Sequence, residues 1–348
     1  MKITVIGAGN SGLAMAAHLS YSGNEIRLWN RTPKTIDKIK KTKTINLHGI
    51  IEDKVNIDVI TSSIEEAIEQ SELILVTTPA SSHRELGTLL GKTMVKDIPI
   101  ILNPGRTFGA MNFYAAFVAE NKIFKPTVAE TQTIIYTCRK DGDNHVTIYS
   151  LKTEVKIAAL NKEDTKKIIS RLPICIKKYY KAADSFLETS LGNVGMVLHC
   201  VPFMLNTGWT ECNTAEYKYY YDGITPTISK FIEHIDNERV TVGRYLGLDL
   251  ETTAQWLKKE YHSYGSTLYE CIKNNKAYKE IDAPKTIYHR YIFEDVPNGL
   301  VPVEKLGKEL QVDTPYITTA INLANALLEQ DFRKDSRYAI IERIKSFT

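Results

Sequence analysis

Lys2-Ile3-Thr4-Val5-Ile6-Gly7-Ala8-Gly9-Asn10-Ser11-Gly12 opens the chain, and its reading decides the fold. The first five residues alternate and are β-branched, which predicts a strand. Leu13 to Tyr21 reads as an Ala-rich helix, and Glu25 to Asn30 as a second strand. The glycines thus stand in a G-x-G-x-x-G motif between a strand and a helix, the setting that gives it meaning. Gly7 permits a tight turn, Gly9 lets backbone approach a pyrophosphate, and Gly12 lets helix and strand pack closely. The N–H groups at the helix start then face negative phosphates. Gly7, Ala8, Gly9, Asn10, Ser11 and Gly12 are therefore candidate dinucleotide contacts. A Gly-rich turn that binds nothing is the competing reading, and the strand–helix–strand context disfavours it.

The second strand ends Leu28-Trp29-Asn30-Arg31-Thr32. NAD sites usually place Asp or Glu there to hold the ribose 2′-OH. With Asn30 in the acid's place and Arg31 beside it, the sequence favours NADP over NAD, Arg31 pairing with the 2′-phosphate.

Composition narrows the rest. A chain of 348 residues holds about two domains. Forty-four basic against 41 acidic residues leave a net charge of +3, and no block resembles a nucleic-acid arm. Lys34 to Lys43, the densest basic cluster, reads as a solvated helix face. No apolar run approaches the length of a membrane helix. The first strand leaves no room for a signal peptide, so the expected location is the cytoplasm. Cys138, Cys175, Cys200, Cys212 and Cys271 form no C-x-x-C pair and read as reduced thiols, not as disulfide or metal ligands.

Ile57 to Ile60 reads as a short strand, and Ser63 with Glu66 as a capping box before a helix to about Gln70. Leu73-Ile74-Leu75-Val76 suits a strand buried on both faces. It leads into Thr77-Thr78-Pro79, where Thr78 and Pro79 are candidate cofactor contacts at a strand's carboxyl end. Pro99 to Leu102 is the fifth strand, followed by the loop Asn103 to Gly109. Alternating strands and helices predict an N-terminal α/β Rossmann-type doubly wound sheet. Thr133 to Tyr136, Val146 to Ser150 and Val155 to Ala158 are short β runs expected to extend the nucleotide-binding domain. After Ala183 the pattern becomes mostly helical. The expected domains are 1–182, dinucleotide-binding, and 183–348, helical and carrying the substrate chemistry. Thr225-Pro226 and Thr314-Pro315 read as helix starts with Pro at the first helical position. Ile228, Phe231, Ile232, Ile235, Val242 and Leu246 mark one apolar face; Ile317, Ile321, Ala324, Leu327 and Leu328 mark another.

Two polar islands in the second half carry candidate chemistry. Asn193 to Pro202 is apolar except for Asn193 and His199. A histidine in such a run is by default a hydrogen-bonded core residue. Asn206 lies seven residues on and shares its face if the helix continues, Pro202 being the expected bend. The second island is His289-Arg290-Tyr291-Ile292-Phe293-Glu294-Asp295-Val296-Pro297-Asn298-Gly299. Arg290 can grip a carboxylate through two parallel hydrogen bonds, and Asp295 can orient an imidazole. A structural Arg–Asp pair beside a Pro-Gly turn is the alternative. Trp209, Tyr217, Tyr219, Tyr220 and Tyr221 form an aromatic cluster, read as packing between helices ahead of a substrate pocket.

Together these segments resemble the octopine/nopaline (opine) dehydrogenases over nearly the whole chain. The resemblance rests on Gly7 to Gly12, the loop Asn103 to Gly109, and Ala129-Glu130-Thr131-Gln132-Thr133 with Tyr136 and Cys138-Arg139. It rests also on Gly192-Asn193 through His199, Asp236-Asn237-Glu238-Arg239, and Arg290-Tyr291 through Pro302. It implies a two-domain NAD(P)H-dependent oxidoreductase with its site in the interdomain cleft. Such enzymes condense a 2-oxo acid such as pyruvate with an amino acid and reduce the imine. By that resemblance His199 and Asp295 match the catalytic pair and Arg290 the grip on the oxo-acid carboxylate. Glu130 then lies near the nicotinamide, and Thr131 and Asn206 join the substrate contacts. The implied partners are small molecules, with neither nucleic acid nor membrane and with a homodimer left open. Two alternatives remain. One is a 2-oxo or 2-hydroxy acid reductase of the ketopantoate reductase or glycerol-phosphate dehydrogenase type, which usually centres on a Lys. The other is a nucleotide sensor without turnover.

Overall fold

The computed structural model describes residues 1–212, 214–334 and 340–347. The chain divides into two compact units, Met1–Ser190 and Leu191–Thr348. The expected boundary at 182 coincides with the end of the last strand. The helix Phe186–Leu191 follows, and its Thr189 and Ser190 bond back to Glu130 inside the first unit.

The described strands of the first unit are β1 (Lys2–Ile6), β2 (Glu25–Trp29), β3 (Thr44–Gly49), β4 (Asp53–Asn56), β5 (Val59–Thr61) and β6 (Leu73–Val76). They continue as β7 (Ile100–Leu102), β8 (Val128–Thr131), β9 (Tyr136–Lys140), β10 (His145–Leu151), β11 (Val155–Ala159) and β12 (Tyr180–Ala182). The main sheet has the order β12-β11-β8-β7-β6-β1-β2-β5. From β5 to β8 every neighbouring pair is parallel, and only β8–β11 is antiparallel. The strand order reverses between β1 and β6, the point outside which such sheets bind ligands. The doubly wound sheet is therefore as the sequence reads, and residues 7–12 and 77–79 lie at its switch point.

The helix α1 (Asn10–Tyr21) begins inside the glycine motif, earlier than the apolar pattern suggests. A Cβ on Gly12 would lie 1.8 Å from the Gly7 carbonyl oxygen, so only glycine lets this helix leave β1 at this angle. Gly7 itself adopts φ +108°, which disfavours any side chain.

Two readings need correction. Thr133 to Ile135 is not strand: the chain there crosses between sheets, and the ladder begins only at Tyr136, opposite Leu151. β9 and β10 belong to the first unit, as expected, but not to its main sheet. They join β3 and β4 in a second sheet of order β4-β3-β10-β9 that packs against α1, with the Tyr136 hydroxyl 3.1 Å from His18 Nδ1. The Ser63 box is half formed: Ser63 Oγ accepts the Glu66 N–H, but the Glu66 carboxylate accepts from Thr61 instead.

The second unit is helical. Thr225 caps the helix Pro226–Tyr245, its side chain accepting the Ile228 N–H. The buried face of that helix is not purely apolar. Asp236 and Arg239 stand on it beside Ile232, Ile235 and Val242. Arg239 is fully buried; Nε and Nη2 donate to Asp236 Oδ1, Nη1 to the Leu191 carbonyl, and Nη2 also to the Glu251 carbonyl. On the helix Pro315–Leu328, Ile317, Ile321 and Ala324 are buried as expected, but Leu327 is exposed. Its N-terminus is capped not by Thr314 but by Glu238, whose carboxylate accepts the Tyr316 and Ile317 N–H groups. No described helix is long and apolar enough to cross a membrane.

Candidate active site

In the first unit the groups expected to hold a dinucleotide surround the start of α1. Gly9 is exposed, no atom lies within 4 Å of where its Cβ would stand, and neither a capping side chain nor an acid occupies the first turn. An open N-terminus with uncapped N–H groups is the environment a pyrophosphate needs, so the residues fit the group. Asn10 Oδ1 accepts the Lys140 N–H from β9, which ties the motif to the second sheet. Asn30 Oδ1 accepts the Ala8 N–H at 3.1 Å, so Asn30 braces the glycine turn from the end of β2. Arg31 is exposed and pairs with Glu85 at 2.6 Å. Glu85 stands fifty-four positions from Arg31, and no local sequence rule pairs the two. Thr78 Oγ1 accepts from Ser82 at 2.7 Å, and Pro79 beside it is exposed.

Glu130 and Thr131 are both fully buried on β8. Thr131 Oγ1 donates to the Leu102 carbonyl, and the Thr131 carbonyl accepts the Gly105 N–H. Glu130 Oε2 accepts the Ala110 N–H at the start of the helix Gly109–Glu120, and Oε1 accepts from Thr189 and Ser190. Burial raises its carboxyl to about 7, against the pull of Ser190, Ala110 and Thr189. Both residues thus hold the loop Asn103 to Gly109 from beneath.

The second unit brings His199 and Asp295 together. The helix expected to run on past His199 breaks at that residue, between Gly195–Leu198 and Cys200–Leu205, with φ −99° and ψ −60°. The break is therefore not at Pro202, which sits harmlessly in the first turn of the second piece, where no N–H is needed. His199 Nδ1 lies 2.9 Å from Asp295 Oδ2; the Asp295 side chain is 1% exposed and that of His199 20%. A carboxylate only accepts, so Nδ1 carries the proton and Nε2 is the basic atom. The Tyr219 hydroxyl donates to the His199 carbonyl and pins the break.

Arg290 is exposed at the start of the short helix Arg290–Phe293, its guanidinium 5.9 Å from the Tyr291 ring centre. Among the described residues no carboxylate pairs with it. Asn206 does not share a helical face with His199, because the helix ends there; its Nδ2 donates to the Pro202 and Gly223 carbonyls. Tyr217, Tyr219 and Tyr220 are buried, with Tyr217 stacked on Trp209 and Tyr220 on Tyr278. The aromatic cluster is thus largely packing, although Tyr219 reaches His199.

Residues 182–328 match the family model described as NAD/NADP octopine/nopaline dehydrogenase, alpha-helical domain. Residues 2–104 match that of the NAD-dependent glycerol-3-phosphate dehydrogenase N-terminus, so that likeness is confined to the nucleotide-binding half. An opine dehydrogenase of Arthrobacter sp. (strain 1C) is 32% identical over 96% of this chain and 92% of its own. Octopine dehydrogenase, solved with NADH and L-arginine, superposes with a TM-score of 0.76 at 19% identity, covering 94% of this chain and 90% of that one. Apo yersinopine dehydrogenase gives 0.82 at 13% identity, covering 100% and 99%.

Glu130 yields a testable consequence. Below about 4.5 the carboxyl is neutral in both folded and unfolded chains; between there and about 7 only the unfolded chain ionises. The wild type then loses stability as pH rises through that window, and Glu130→Gln does not. Urea unfolding should show the variant gaining on the wild type by roughly 3 kcal/mol across the window. Parallel pH curves would mean that the buried carboxyl is ionised throughout.

Sequence, fold and full-length similarity agree: the chain belongs to the octopine/nopaline dehydrogenase family and is an NAD(P)-dependent oxidoreductase acting on CH–NH bonds.

Proposed function

We propose that this enzyme uses NADPH to reduce the imine formed between a small 2-oxo acid, pyruvate in the first instance, and an amino acid. The observation that carries this reading is the His199–Asp295 pair at 2.9 Å; the Tyr291 ring stacked on that imidazole also lies 5.9 Å from the guanidinium of Arg290, which pairs with no carboxylate among the described residues. Imine formation needs a group that removes a proton from the attacking amine and returns one to the departing water, near neutral pH. Imidazole suits both steps. Asp295 keeps Nδ1 protonated, so Nε2 performs both transfers and the carboxylate steadies the imidazolium between them. Arg290 holds the oxo-acid carboxylate by its planar fork, which fixes the carbonyl carbon for attack. Asn206 has spent its amide hydrogens on the backbone, so what it offers a substrate is its carbonyl oxygen, an acceptor suited to the amino group. The bound nicotinamide supplies the hydride. Gly7 to Gly12 and Thr78-Pro79 hold the dinucleotide. Glu130 and Thr131 set the loop beside it. A Lys-centred 2-oxo acid reductase is the weaker reading, because the acid–base group here is an imidazole.

Cofactor oxidation with pyruvate, with and without pooled amino acids, tests the reaction. Oxidation should require both partners; oxidation with pyruvate alone would select a simple 2-oxo acid reductase. The catalytic pair is tested by non-additivity. His199→Ala, Asp295→Asn and the double variant should fall to similar low rates with cofactor binding intact. Strictly multiplicative losses would separate the two residues.

Cofactor choice is tested at Arg31. Its guanidinium must exchange Glu85 for the 2′-phosphate, an exposed partner worth little in water for a doubly charged one. Arg31→Ala should raise the KM for NADPH by roughly tenfold and leave that for NADH unchanged. Glu85→Gln should lower the KM for NADPH. A wild type that prefers NADH would end this assignment.

A further inference from the structure

We propose that Tyr291 is a positioning residue for the reaction: its ring fixes the plane of the His199 imidazole, so that one segment, 289–295, grips the base from two directions. This rests on the catalytic reading of His199. One hydrogen bond from Nδ1 to Asp295 anchors a single edge of the imidazole and leaves the ring able to tilt about it. The Tyr291 ring removes that freedom. It lies parallel to the imidazole, with centroids 4.6 Å apart and an interplanar angle of 14°. Asp295 follows Tyr291 by one helical turn, and the Glu294 N–H donates to the Arg290 carbonyl to close that turn. The same short stretch of backbone therefore sets both the acceptor at the imidazole edge and the surface on its face.

Tyr291 is itself held. Its N–H donates to His289 Nδ1. The His289 ring meets it edge-on at 4.5 Å, Phe203 meets it edge-on at 6.0 Å, and Tyr219 leans on it at 5.2 Å. Tyr219 closes the enclosure by donating its hydroxyl to the His199 carbonyl. Besides Tyr291 itself, the charged and titratable groups around the imidazole are Asp295, His289, Arg290, Tyr219, Tyr220 and Cys200, on three neighbouring stretches of chain. Of these only Asp295 hydrogen-bonds the ring. A base that must meet an amine and then a departing hydroxyl gains most from a fixed plane, since small misplacements are costly in rate.

The test compares Tyr291→Phe, which keeps the face, with Tyr291→Leu, which removes it. Two readouts are taken on NADPH-saturated enzyme. One is turnover with pyruvate and amino acids. The other is the NMR resonances of the His199 ring, assigned by their disappearance in His199→Gln. Tyr291→Leu should lower kcat by roughly tenfold or more, with the KM for pyruvate and NADPH nearly unchanged. It should also move the His199 ring resonances downfield as the ring current is lost. Tyr291→Phe should restore both. Full kcat in Tyr291→Leu, while His199→Gln is inactive, overturns this proposal alone, as do His199 resonances that stay in place. Full kcat in His199→Gln overturns the catalytic reading itself. If Tyr291→Leu melts below the assay temperature, Tyr291→Met supplies an unbranched replacement without a π-face.

Discussion

The first unit depends on a contact that leaves no room for a single carbon atom. A Cβ on Gly12 would stand 1.8 Å from the Gly7 oxygen and 2.8 Å from Thr77 Oγ1. Thr77 Oγ1 in turn donates to the Ile6 carbonyl, so the end of β6 is stitched to the end of β1 at the same place. This close approach sets where α1 begins, and hence that its N–H groups open at the switch point of the sheet. Gly9 has the opposite surroundings, with nothing within 4 Å. The two glycines share a motif for different reasons. Gly12 is needed by the fold, whereas Gly9 leaves open the space that the proposed dinucleotide would occupy.

The second unit depends on a different constraint, the need to satisfy a fully buried guanidinium. Arg239 donates to Asp236 and to two backbone carbonyls, one of them Leu191, where the unit begins. Asp236 also accepts the Thr253 N–H and hydroxyl, and so fixes the start of the next helix. Glu238, between them in sequence, caps the helix Pro315–Leu328. The segment Asp236-Asn237-Glu238-Arg239, one of the carriers of the family resemblance, is thus largely architectural. Removing one member of such a pair costs about 3–5 kcal/mol, because the other charge is left buried alone.

The main sheet was legible because its strands and glycines obey local rules. The second sheet was less so, although Thr44-Ile45-Asn46-Leu47-His48 alternates and buries Ile45 and Leu47. The basic cluster before it does form a solvated helix, Asp37–Thr42, and the strand that follows carries no turn signal to set it apart. β9 and β10 look locally like any other strands, and nothing in their sequence says which sheet they join. At the site, the residue types were legible and their partners were not. His199 and Asp295 were readable as a pair only through resemblance, since ninety-six positions separate them. The Arg31–Glu85 pair, the Tyr291 stack and the Ser190 hydroxyl on Glu130 arise from tertiary packing and leave no periodic trace. The helix break at His199 was misplaced onto Pro202 because proline is the visible helix breaker. The actual break is held by a hydroxyl from Tyr219, twenty positions on.

Two buried carboxyl groups stand in contrasting environments. Glu130 is surrounded by neutral donors, two hydroxyls and one N–H, and burial pushes it to about 7. Such a group suits a junction, since either protonation state finds partners there. Asp295 is as deeply buried, but its partner is an imidazole whose side chain keeps 20% of its surface. A carboxylate buried against an imidazole in that position is a poor source of stability, because desolvation offsets the attraction. The fold nevertheless places a helix break, a tyrosine hydroxyl and a stacked ring around this imidazole. Local rules are broken here and obeyed in the helices on either side, which is the pattern the proposed catalytic role of this imidazole requires.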